Sequence, residues 1–121
     1  MRFLSIYRSV ERNAPPSQEE METMGKLIEK WMKAGHLLSA EGCLPSVQGA
    51  RVRLLKGQIA VTDGPFTEAK EIVGGLAILE ASSKEQAIQL VKEFLAVAGD
   101  GECEVRQLYE APQRSDAQAA S

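Results

Sequence analysis

The 121 residues are 44% apolar and 26% charged, with a net charge of −3 and both signs spread along the chain. That composition fits one globular domain, which buries roughly two-thirds of its unfolded surface, and it does not fit a disordered segment. Lys and Arg form no cluster, so no direct nucleic-acid partner is expected, and no apolar stretch approaches the ~20 residues that span a bilayer.

The chain opens on Met1-Arg2-Phe3-Leu4-Ser5-Ile6-Tyr7-Arg8. This stretch is too short and too alternating for a signal peptide and reads as a half-buried strand. Asn13-Ala14-Pro15-Pro16 breaks it. Ser17 followed three residues on by Glu20 is a capping-box pattern, so a helix is expected to start there. Met21, Met24, Leu27, Ile28, Trp31 and Met32 recur at helical spacing and are expected in the core, and Gly35 is placed to end the helix in a left-handed conformation.

His36 to Leu44 reads as a second strand ended by Pro45. Residues 51–55 and 58–62 form a hairpin around Lys56-Gly57. Then comes "VTDGPFTEAKEIVGG", residues 61–75, where strand-forming residues stop at Asp63-Gly64-Pro65-Phe66. Gly74-Gly75 suggests a bulge or a close backbone approach, and Leu76–Ala81 reads as the strand that follows. Ser82 with Glu85 repeats the capping-box pattern, and Ala87, Ile88, Val91, Phe94 and Leu95 give a second apolar stripe. Gly99-Asp100-Gly101 breaks the chain before a last strand at 102–109. Residues 1–111 are expected to form the domain and 112–121 a flexible tail.

Without the hairpin, the order is β-α-β-β-α-β. This is the α+β, ferredoxin-like arrangement with both helices on one face of the sheet. Strict alternation puts Leu4, Ile6, Leu38, Ala40 and Leu44 toward the helices. The other face then carries Phe3, Ser5, Tyr7, Leu37, Ser39, Glu41 and Cys43, which is too apolar for water and too polar for a sealed core. A homodimer that stacks these faces around a pocket resolves the conflict.

The segment "VTDGPFTEAKEIVGG", preceded by "AEGCLP" and the Lys-Gly hairpin, resembles the DGPF-domain branch of the YCII-related proteins over about residues 1–110. The resemblance implies a ferredoxin-like subunit that dimerises into an α+β barrel. It also implies an Asp–His pair in those members thought to be enzymes. Asp63 stands for the Asp, but the helix position that would carry His holds Met24, and a thioether cannot relay a proton near neutral pH. The likeness further suggests a sigma-factor-linked partner.

The residues leave both roles of Asp63 open, as a turn former bonding downstream amides and as a pocket-facing carboxylate. Tyr7, Ser39 and Glu41 are candidates to hydrogen-bond a small polar ligand, with mutual pairing as the plainer role. Phe66 reads as an apolar plug or a stacking surface, and Lys70 as a solvated lysine or an anion contact. His36 is placed near helix-end carbonyls. Cys43 and Cys103 match no metal spacing, and no metal or cofactor is expected. A reduced, cytoplasmic setting is the expectation from the two cysteines. The favoured function is a non-catalytic module binding a small organic ligand or a protein partner. The alternative is a cofactor-independent isomerase or lyase acting on a small organic acid through Asp63.

Overall fold

The computed structural model describes residues 1–12 and 14–110; the expected C-terminal tail lies outside them. The elements are β1 (Arg2–Ser9), α1 (Gln18–Lys33), β2 (Leu37–Gly42), a single 3-10 turn at Ser46–Gln48, β3 (Ala50–Leu55), β4 (Gln58–Asp63), β5 (Ile72–Glu80), α2 (Lys84–Ala98) and β6 (Glu102–Gln107). The main sheet has the order β2-β5-β1-β6, with every neighbouring pair antiparallel, and β3–β4 forms a separate two-stranded sheet. This is the ferredoxin-like α+β order with an added hairpin.

Local chemistry explains the element boundaries. Ser17 Oγ accepts from the Glu20 amide at 3.1 Å, and Glu20 Oε1 accepts from the Ser17 amide at 3.2 Å, so the first turn of α1 satisfies its own free donors. Helix α2 is capped one residue later than the pattern suggested. Ser83 Oγ accepts from the Gln86 amide at 3.1 Å, while Gln86 Oε1 reaches back to the Ser82 amide at 2.6 Å. The hairpin turns with positive φ at both Lys56 (51°) and Gly57 (80°), the twist that suits a two-residue β-turn. Strand β5 begins at Ile72, before the two glycines and not after them.

The core reverses the expected faces on β1 and at Leu37, whereas Ala40, Ser39 and Glu41 lie on the faces expected of them. Phe3 and Leu79 are paired across β1 and β5 and each is 1% exposed; with Leu37 they pack against Trp31, Ala87, Leu90 and Val91. The Phe3-Ser5-Tyr7 row therefore faces the helices, and Leu4 and Ile6 face away. Two causes stand behind the reversal. Both rows of β1 carry apolar residues, so alternation alone does not choose between them. In β2 a bulge between Leu37 and Ser39 changes parity, so Leu37 and Ala40 share the helix side while Ser39 and Glu41 pair with Ile78 and Leu76 on the open side. Of the helix α1 methionines expected in the core, Met21 and Met32 are exposed.

The hairpin root is clamped. Glu11 accepts from the Ser46 amide (2.6 Å) and from Ser46 Oγ (2.7 Å), and Ser46 Oγ in turn accepts from the Phe66 amide (3.2 Å). The Gly64 amide donates to the Gly49 carbonyl at 2.9 Å. A Cβ on Gly64 would lie 1.6 Å from the Ser46 carbonyl oxygen, so only glycine lets the two loops come this close. Gly64→Ala is expected to cost about 1–3 kcal/mol by forcing these backbones apart, measured as a lowered urea midpoint with an unchanged m-value. An unchanged midpoint would show that the loops part freely.

Four carboxylates, Glu11, Glu20, Glu68 and Glu104, are held low and tie stability to pH, and two of them are tied to the α1 cap and the hairpin root. The Arg12 guanidinium, with help from the Ser17 amide, holds Glu20 down to about 2. The Ser46 amide and then its hydroxyl hold Glu11 below the ordinary 4.5. Both pKa values are lower in the folded chain than in the unfolded one, so the unfolded state binds more protons as pH falls. Their contribution is complete above the ordinary carboxylate range and is lost between about 4.5 and 2. Thermal midpoints should fall on acidification through that window, with a shallower fall in Glu20→Gln; equal slopes would refute the assignment to Glu20.

Candidate functional site

Small residues on the helix-facing side of the sheet leave a hollow. Ala40 and Ala77 oppose each other across β2 and β5, Gly42 opposes Gly75, and on β1 Ser5 opposes Ala77 and Tyr7 opposes Gly75. Above this floor stand Met24, Ile28 and Trp31 of α1 and Val91 and Phe94 of α2. The large side chains of the roof cannot fill the space over a floor of glycine, alanine and serine, and a cavity of about 220 Å³ remains. An apolar cavity of roughly 150 Å³ already admits a benzene-sized guest.

The polar groups around this cavity are few and mostly engaged. The Tyr7 hydroxyl donates to the Asp100 carbonyl at 2.9 Å and lies 3.3 Å from the Gly99 carbonyl, beyond the end of α2. Its ring meets Phe94 edge-on, with centroids 5.2 Å apart, a favourable quadrupole geometry. Ser5 is buried on the floor. Trp31 Nε1 donates to Glu93 at 3.0 Å, so the indole presents its hydrocarbon body to the cavity. Glu41 contributes to the rim, but its register opposite Leu76 sends the side chain to the other face of the sheet. Burial pushes the Cys103 thiol up, away from a reactive thiolate.

A second, more open hollow of about 590 Å³ lies at the hairpin root and includes Arg8, Cys43, Leu44, Ser46, Arg51 and Phe66. Its two arginines are already matched: Arg8 pairs with Glu104 at 3.2 Å, and Arg51 pairs with Glu68. The Arg51 guanidinium lies 3.9 Å above the Phe66 ring, a cation–π contact that holds the ring in place.

The sequence candidates do not converge. Tyr7 lines the first cavity and Phe66 the second hollow. Asp63 is exposed at the end of β4, opposite Ala50; Ser39 is half-buried on the open sheet face; Lys70 is exposed on the loop after Phe66. None of these three lines either hollow. His36 Nδ1 lies 3.0 Å from the Glu80 carbonyl rather than at the end of its helix. The cavity walls went unrecognised because Ile28, Trp31, Val91 and Phe94 read as ordinary core. The one signal available was the run of small residues at 40, 42, 75 and 77, which shows as a floor only when β2 and β5 are paired.

Comparison with known proteins adds the family. A family model described as the YCII-related domain matches residues 1–112. The chain belongs to the YCII-related domain family. A curated relative, "Uncharacterized protein R00369" of Rhizobium meliloti (strain 1021), is 29% identical over 89 residues, covering 73% of this chain and 72% of the relative. In this YCII-related chain, Met24 sits in the cavity roof, where no side chain of α1 that lines the cavity can exchange a proton.

Tyr7→Phe keeps the ring on Phe94 but removes both carbonyl contacts. It is expected to cost about 1 kcal/mol in urea unfolding. A loss well above that would mean that the ring packing also depends on the hydroxyl.

Proposed function

We propose that this YCII-related protein is a non-catalytic binding module that admits a small, neutral, largely apolar molecule to the cavity between helices and sheet. A homodimer closed over the open sheet face completes the reading. The observation that carries the ligand assignment is the cavity lining. Met24, Ile28, Val91 and Phe94 face a floor of small residues, and the one lining carboxylate belongs to a residue whose side chain lies across the sheet. Acid–base chemistry needs a titratable side chain within hydrogen-bond reach of the substrate. The tyrosine hydroxyl nearest the cavity is spent on backbone carbonyls. An apolar guest asks for none of this, because burial of its surface supplies the affinity.

The dimer reading rests on the open face. Leu4 and Ile6 of β1 and Leu76 and Ile78 of β5 form a central apolar strip there, flanked by Arg8, Glu104 and Arg106. Among the described residues, no helix lies on that side of the sheet. An apolar strip with a charged rim is the usual composition of a protein–protein interface.

The chain has one tryptophan, and it lines the cavity, so binding can be read from Trp31 fluorescence. Titration with indole-free neutral probes such as toluene or cyclohexane is expected to change that emission saturably. At tenfold excess over Kd the stabilisation is about 1.4 kcal/mol, a rise of roughly 5 °C in the thermal midpoint. Ala77→Leu, which fills the floor, should abolish the response while leaving the circular dichroism spectrum unchanged. Benzoate, which carries a charge the cavity does not match, should give no shift. No response to any neutral probe would refute the ligand reading.

A further inference from the structure

We infer that the β3–β4 hairpin is an intersubunit arm whose apolar face lies on the open sheet of a second copy of this chain, and that the Asp63–Phe66 corner serves to aim it. This inference rests on the homodimer reading above and adds which part of the chain makes the contact.

The hairpin is poorly placed to stand alone. Every residue of both strands is exposed, and the two strands pack mainly on each other. A lone two-stranded hairpin is marginal in water. Register nevertheless sorts its side chains cleanly: Val52 opposes Val61 and Leu54 opposes Ile59, so these four share one face. They are 63–71% exposed. Four aliphatic side chains gathered on one face of a projecting ribbon exceed the scattered apolar residues of an ordinary surface.

The occupant is argued from area. Each of the four side chains offers on the order of 100 Å², and a contact buries a similar area on the surface it meets. Two reciprocal arms in a twofold dimer then approach roughly 1,600 Å², the size of a standard stable interface. The chain's own open face supplies the matching surface, with Leu4, Ile6, Leu76 and Ile78 at its centre.

Rigid presentation completes the case. Ser46 is held by Glu11 on one side and holds the Phe66 amide on the other, while the Gly64 amide closes on Gly49. Arg51 caps Phe66 at the same root. An arm fixed at its base loses less freedom on docking than a swinging one, which raises affinity without adding a contact.

The test is sedimentation equilibrium on the full chain, from 0.1 to 100 µM, with three variants. Ile59→Lys changes a side chain that is exposed within the subunit, so the fold should persist by circular dichroism. It is expected to weaken the dimer at least 100-fold. Arg53→Ala, on the opposite face of the hairpin, should change dimerisation less than threefold. Ile6→Lys on the open sheet face should also yield monomer. If Ile6→Lys gives monomer while Ile59→Lys leaves the dimer intact, the dimer reading stands and the arm inference fails. If the wild-type chain is monomeric at 100 µM, both fall. An added check is Gly64→Ala under conditions where it remains folded: a weakened dimer supports the aiming role of the corner, and an unchanged one overturns that role.

Discussion

Phe3 and Leu79, side by side across β1 and β5 and sealed beneath the two helices, decide which side of the sheet is the inside. Once those two are buried, parity along the strands sets most of the rest. Ser5 and Tyr7 follow Phe3 inward, Ala77 and Gly75 follow Leu79, and Leu4, Ile6, Leu76 and Ile78 are left on the outer surface. Large side chains at one end of this inner row and small ones at the other produce a core that is tight near Leu79 and hollow near Gly75. The cavity is thus a consequence of residue size along one row of a sheet, and it needs no special loop or insertion.

The corner at Asp63-Gly64-Pro65-Phe66 has its own logic, distinct from that of the cavity. Its glycine is required by a carbonyl from a loop some twenty residues earlier in the chain, and its phenylalanine contributes a backbone amide to a serine hydroxyl as well as a ring beneath an arginine. The carboxylate of Asp63 takes part in none of these contacts and stays in water. In three dimensions the motif forms a joint between the hairpin and the sheet.

The chemistry available to the cavity follows from what surrounds it. Titratable groups nearby are either engaged outside it, as Tyr7 is, or directed away by strand parity, as Glu41 is. The resemblance implies a helix histidine in those YCII-related members thought to be enzymes, and at that position this chain has Met24, in the roof of the cavity. Methionine fills an irregular space softly and adapts to the shape of a guest. A thioether exchanges no proton near neutral pH, which is the direction of the proposed function.

The elements and their order were legible along the chain because their signals are local. Ser17 and Glu20 are one helical turn apart, Lys56-Gly57 carries its own backbone preference, and the apolar spacing of α1 and α2 needs no partner to be read. With the order came the ferredoxin-like α+β arrangement. Face, cavity and clamp were decided only by tertiary structure. Both rows of β1 are apolar, so burial of Phe3 instead of Leu4 depends on what packs above. The β2 bulge that turns Ser39 and Glu41 outward exists only through pairing with β5. Glu11 and Ser46 are 35 residues apart, and no local pattern announces their bond. Short-range preferences are written in neighbouring residues, whereas the choice of an inside requires surfaces that meet only when the chain has closed on itself.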